Sequence, residues 1–79
     1  MYPNPTADML NLNVDLKQKQ NIHISIYDLS GQPIYEKKAV AVQQNTFQFD
    51  ISEQAAGVYL VQIYGENELL YNEKLIVTK

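Results

Sequence analysis

The sequence contains no cysteine and no arginine among its 79 residues, and only three glycines and three prolines. Without cysteine, no disulfide can supplement the small core of so short a chain, which buries only about 60–65 % of the surface its unfolded form exposes. The absence leaves the compartment open, because a secreted protein can simply lack the residue. Without arginine, and with a formal net charge of −3, the chain lacks the side chain best suited to bidentate contact with phosphates and bases, which argues against nucleic acid as a partner. No apolar run approaches the roughly 20 residues needed to span a bilayer. Met1 is followed by Tyr-Pro rather than by a basic stretch and an apolar core, so neither a membrane span nor an N-terminal export signal is expected. A methionine set directly on a proline-containing boundary reads as the start of a piece cut from a longer protein.

What is present is a 46 % hydrophobic content with six Tyr and two Phe, arranged mostly with period 2, the mark of strands with one buried face. Leu10, Leu12, Val14 and Leu16 alternate with Asn11, Asn13 and Asp15. Ile22, Ile24 and Ile26 repeat the pattern against His23, Ser25 and Tyr27. The polar Lys17–Asn21 between them has the composition of a hairpin loop. Asp28-Leu29-Ser30-Gly31 reads as a turn, with Asp placed to bond the backbone two residues on and Gly31 where a positive φ costs little. Ile34–Val42 is a third strand, its Glu36-Lys37-Lys38 fitting an exposed edge. Gln43-Gln44-Asn45 loops into Thr46–Ile51, with Phe47, Phe49 and Ile51 on one face. Asp50–Gly57 is too short for a helix and is expected to form a single turn or 3₁₀ stretch that Gly57 ends. Val58–Tyr64, apolar on both faces, fits a central strand. Gly65–Glu68 is a last hairpin turn and Leu69–Thr78 a last strand. The fold expected is all-β, a small antiparallel immunoglobulin-like β-sandwich of about seven short strands, with a small barrel as the other arrangement. Residues 1–8 form a proline-containing lead and residues 9–79 a single domain.

Chemistry is sparse. His23, the one histidine, reads as a partly exposed sheet residue, and with no cysteine it cannot complete a usual zinc set. The nine carboxylates form no calcium-type loop, and Glu66 and Glu68 read as like charges on a solvated turn. The glycines are isolated and build no phosphate loop. No enzyme activity, cofactor or metal is expected. The tyrosines allow one other class, a carbohydrate-binding or adhesive accessory module, which would require an exposed aromatic row; their strand positions favour packing instead.

Three segments taken together carry a resemblance: Tyr2-Pro3-Asn4-Pro5 followed by Leu10 and Leu12; Ile24-Ser25-Ile26-Tyr27-Asp28-Leu29-Ser30-Gly31; and Gly57-Val58-Tyr59-Leu60-Val61 with the ending Lys74-Leu75-Ile76-Val77-Thr78-Lys79. In this order and spacing the chain resembles the type A C-terminal sorting domain of type IX secretion (Por secretion) cargo in Bacteroidetes. The resemblance implies an immunoglobulin-like sandwich at the C-terminus of a larger cargo. The cargo reaches the periplasm by its own signal and crosses the outer membrane to the cell surface or beyond. It also implies as partners an outer-membrane translocon, a shuttle protein and a sortase-like peptidase that usually removes the domain. Its recognition candidates are Tyr2, Pro3, Asn4, Pro5, Gly31, Gly57, Tyr59, Lys74, Leu75, Ile76, Val77 and Lys79. Gln32, where the family commonly has a basic residue, and Gln54-Ala55, where it often has Leu-Pro, depart from the pattern.

The residues supply physical reasons beside this. Pro3 and Pro5 fix φ, remove backbone donors and push the preceding residues toward extended conformations, so the lead cannot continue a helix from an upstream domain. The apolar, β-prone ending with a terminal cation suits pairing along a partner's sheet edge, or simple closure of the domain's own edge. A homodimer through strand edges is a further expectation.

Overall fold

The computed structural model describes residues 1–3 and 6–78, so the expectations placed on Asn4, Pro5 and Lys79 lie outside the described residues. Among the described residues there are four strands: β1 (Met9–Tyr27), β2 (Pro33–Asp50), β3 (Gly57–Tyr64) and β4 (Leu69–Val77). They form one open antiparallel sheet in the order β2-β1-β3-β4. The all-β class is as expected, but about seven short strands is not. β1 absorbs the first two expected strands together with the Lys17–Asn21 loop, and β2 absorbs the next two with Gln43–Asn45.

The reason lies in the parity of the apolar positions. Leu10, Leu12 and Val14 and then Ile22, Ile24 and Ile26 are all even-numbered and all buried. One pleated strand therefore places both sets on one face without a turn. The polar run marks an irregularity rather than a reversal. Between the pairs Asp15↔Gln44 and Gln20↔Val42 the register slips, and between Gln20↔Val42 and Ile22↔Ala39 it shifts again, with Val40 and Ala41 facing Asn21 alone. Ala41 there has φ +54°, its N–H donating to Asn21 Oδ1 at 3.1 Å, and Val40 is thrust out to 78 % exposure. An extra residue of this kind bends the strand and increases its twist.

The bend lets the sheet cover itself. The ribbon formed by the first half of β1 and the second half of β2 has only two strands, too few to bury Leu10, Leu12, Phe47 and Phe49 alone. Those residues nonetheless belong to one core with Ile24, Ile26, Tyr59, Val61, Ile63, Leu75 and Val77. Asn13–Leu16 and Ile63, Leu70 and Tyr71 line the same small cavity, which places the ribbon against β3 and β4. The aromatics supplement the core as expected: Tyr35 and Phe49 meet at 5.8 Å between ring centroids, a tilted contact.

The connections follow local chemistry. Asp50–Gly57 makes a single turn, with Gln54 N–H donating to the Ile51 carbonyl (3.0 Å) and Ser52 N–H to Asp50 Oδ1 (2.9 Å). Gly57 opens β3 rather than ending a helical stretch. Gly65 N–H donates to the Glu68 carbonyl at 2.8 Å, closing the last hairpin. β3 is central, between β1 and β4, but only its Tyr59, Val61 and Ile63 face is buried. On the other face Leu60 and Tyr64 are exposed and Val58 and Gln62 half-buried, although Ser25 of β1, which pairs with Gln62, is buried there.

Candidate functional site

The topology brings the second and third of the segments quoted above side by side. The end of β1 pairs with β3 through Tyr27↔Leu60, and β3 pairs with β4 through Val58↔Ile76, Tyr59↔Leu75 and Leu60↔Lys74. Alternation then divides each segment between two faces. Ile24, Ile26, Tyr59, Val61, Leu75 and Val77 point into the core. Tyr27, Val58, Leu60, Lys74 and Ile76 occupy the opposite face, where Leu60 is 37 % and Ile76 41 % exposed. Each segment thus builds the fold with one set of residues and a partly apolar surface with the other.

Of the candidates named from the sequence, Gly57, Tyr59, Lys74, Leu75, Ile76 and Val77 lie together in β3 and β4. Gly31 sits in the loop that follows β1, at the end of the sheet where Gly57 and Val77 also lie. Tyr2 and Pro3 are exposed, and Tyr2 pairs with Asn11, exchanging hydrogen bonds of 2.8 and 2.7 Å, not with β4. Tyr59 anchors β3 twice, by burial and by its hydroxyl donating to the Ala55 carbonyl at 2.6 Å. Since that bond uses the main chain, Ala55 serves where Pro is common in the family. Tyr27, Val58 and Leu60 were missed as surface candidates, although the alternation around Tyr59 already placed Val58 and Leu60 opposite the core. Thr6 was missed with no signal that could have found it.

The Asp28 turn forms as read. Asp28 Oδ1 accepts from the Ser30 hydroxyl (2.6 Å), Ser30 N–H (2.9 Å) and Gln32 N–H (3.0 Å), and the Gly31 N–H donates to the Asp28 carbonyl (3.0 Å). Gly31 has φ +88°, a conformation L side chains rarely adopt. Gln32 contributes through its backbone, so the turn does not depend on the basic side chain common at that position. The Ser30 hydroxyl above all, and then the Gln32 amide, hold the Asp28 carboxyl below its ordinary value of 3.8. A depressed folded-state pKa gives stability that is present above the unfolded value and lost as pH falls through the folded one. Asp28→Ala should therefore melt below the wild type at neutral pH, with the gap closing as the pH drops from about 5 to about 2. Thermal melts of both proteins across that range check it, and a gap that stays constant would be contrary to this account.

His23 is a partly exposed sheet residue, its Nε2 3.9 Å from Glu36 Oε1 in a loose, solvated pair. Glu66 is engaged at the last turn, its Oε1 accepting from Asn21 N–H at 3.2 Å. Among the described residues no group of three or more His, Cys, Asp or Glu is placed to hold a metal ion, and no helix is long and apolar enough to cross a membrane. The most exposed tyrosines are Tyr2 on the lead and Tyr64 at the end of β3, on separate elements rather than in the row that sugar stacking would use.

The model of a family described as secretion system C-terminal sorting domain matches residues 1–78. An endo-acting ulvan lyase of Formosa agariphila is 33 % identical over 78 residues, covering 98 % of this chain but 14 % of the lyase. The chain thus spans about one seventh of that relative's length. No solved structure matches.

Proposed function

The chain belongs to the family of secretion-system C-terminal sorting domains, and we propose that it is read by the export machinery through the outward face of β3 and β4. The domain is the sorting signal of a secreted cargo protein, addressing it to the type IX system and so to the cell surface or the outside. As a sorting domain it is not itself a catalyst. The observation that carries the proposed reading is the register Val58↔Ile76 and Leu60↔Lys74, which gathers both halves of the third segment on one exposed patch, with Tyr27 of the second segment beside Leu60.

Partly apolar patches bounded by polar groups are where partner proteins dock. The translocon, the shuttle protein and the sortase-like peptidase are the proposed partners. Tyr2, Pro3, Asn4 and Pro5 mark the junction with a larger cargo, a reading supported by the ulvan lyase relative, of which this chain covers 14 %. The bent sheet serves in place of the family's two-layer sandwich, built from two long strands and two shorter ones. A homodimer through strand edges is the less favoured association, because Glu36-Lys37-Lys38 lie on the β2 edge strand and Thr6 takes up the end of the β4 edge.

A fusion of residues 1–79 to a neutral periplasmic reporter, expressed in a type IX-competent host, tests the reading. The reporter is expected at the surface or in the medium, and retention in the periplasm would overturn it. Deleting Leu75–Lys79 is a poor probe of recognition, since Leu75 and Val77 are 0 % and 2 % exposed and their loss removes core as well as signal.

A further inference from the structure

Thr6 lies in the lead, yet it is 3 % exposed. It forms a parallel bridge with Val77, its N–H donating to the Ile76 carbonyl at 2.9 Å and its carbonyl accepting from Thr78 N–H at 2.8 Å. Its hydroxyl donates to the Met9 carbonyl at 3.1 Å, and the Thr78 hydroxyl reaches the Thr6 carbonyl at 3.5 Å. Two residues on, the Asp8 carbonyl accepts from Ile51 N–H at 2.7 Å. The segment where cargo and address meet is thereby fastened to the far end of the same chain, 72 residues away.

We propose that Thr6 is a latch that couples the cargo junction to the C-terminal strand. With Thr6 seated, residues 76–78 are held at the rim of the sheet and Ile76 is presented as part of a fixed face. With Thr6 displaced, the Ile76 carbonyl and the Thr78 N–H lose their partner in the lead, and the last residues become a loose end beyond the hold of β3. Strain or misfolding at the junction is then transmitted to the recognition face, and a cargo whose lead cannot seat presents a poor signal. This deepens the proposed function and rests on it: the face on β3 and β4 is read only when the junction is in place.

Two substitutions open the latch from opposite sides. Thr6→Pro removes the donor to the Ile76 carbonyl. Thr78→Pro removes the donor to the Thr6 carbonyl at a position just past the end of β4, where no β3 pairing is lost. Amide hydrogen exchange by NMR reads the remaining half: the Thr78 N–H in Thr6→Pro and the Thr6 N–H in Thr78→Pro. Either is expected to exchange about tenfold faster or more than in the wild type, with the Gly65 N–H at the far turn unchanged. The same variants fused to the reporter should be exported several-fold less well than the wild-type fusion. If the remaining amide stays protected, or if export is undiminished while it exchanges freely, the latch is refuted and the sorting role stands. If the wild-type fusion itself remains in the periplasm, the sorting reading fails independently of the latch. Should Thr6→Pro not fold, Thr78→Pro decides the matter by the same two readouts.

Discussion

Leu75→Ala should destabilise the domain by about 3 kcal/mol, within the roughly 2–5 kcal/mol that removing a fully buried Leu costs through lost transfer energy and the cavity left behind. Leu75 has no exposed surface and lies opposite Tyr59 in a core drawn from both halves of the bent sheet. The site cannot collapse easily, because Ile24, Ile26 and Val61 are themselves fully buried and fixed on neighbouring strands. Small domains have total stabilities of about 0.05–0.15 kcal/mol per residue, so this one change removes a quarter or more of what a 79-residue chain commands. Urea unfolding should show the midpoint falling with the slope unchanged. A shift under about 1 kcal/mol would mean that β4 does not close the core as described.

The second large effect concerns function and uses the residue next door. Ile76 and Leu60 point outward from strands whose alternate residues are buried. Replacing both by Thr keeps β-branched or β-tolerant side chains while removing apolar surface. Stability should change by only about 0.5 kcal/mol per site, the usual range for exposed positions. Export of a fused reporter should fall at least about tenfold if these side chains form the centre of the docking face, since the few residues that dominate an interface cluster near its centre and cost more than about 1 kcal/mol each when truncated. Leu75→Ala affects export only through the folded fraction, so the two variants separate a failure to fold from a failure to be read. Wild-type export by the double Thr variant would remove the face from consideration.

Much of the fold was legible because period 2 is a local signal. Alternation divides core from surface along β3 and at the end of β4, where Tyr59, Val61, Ile63, Leu75 and Val77 are buried, and the Asp28 turn follows from one carboxylate, one hydroxyl and one glycine. The strand count was not legible. A polar run such as Lys17–Asn21 fits a hairpin loop and an exposed bulge equally well by composition. What decides between them is whether a partner strand continues alongside, and that partner, β2, is more than 20 residues away for the relevant pairs Asp15↔Gln44 and Gln20↔Val42. The strain at Ala41 was hidden for the same reason, since a non-glycine residue with positive φ is tolerated only where surrounding pairing imposes it.

The candidate site was legible in part. The recognition candidates named from the sequence include Leu75 and Val77, which serve the core, and leave out Tyr27, Val58 and Leu60 of the same segments, which face outward in the proposed surface. Thr6 gave no signal at all. Nothing in the order Pro5-Thr6-Ala7 indicates a parallel bridge to Val77, because such a bridge exists only after β3 and β4 have folded back to meet the lead.

The central claim is that residues 1–79 suffice as an export address for the type IX system. It is tested most directly by the distribution of a periplasmic reporter fused to this chain, measured in a competent host and in the same host with that system inactivated. The reporter should be found outside the cell or on its surface in the first and confined to the periplasm in the second. An identical distribution in both hosts would contradict the account.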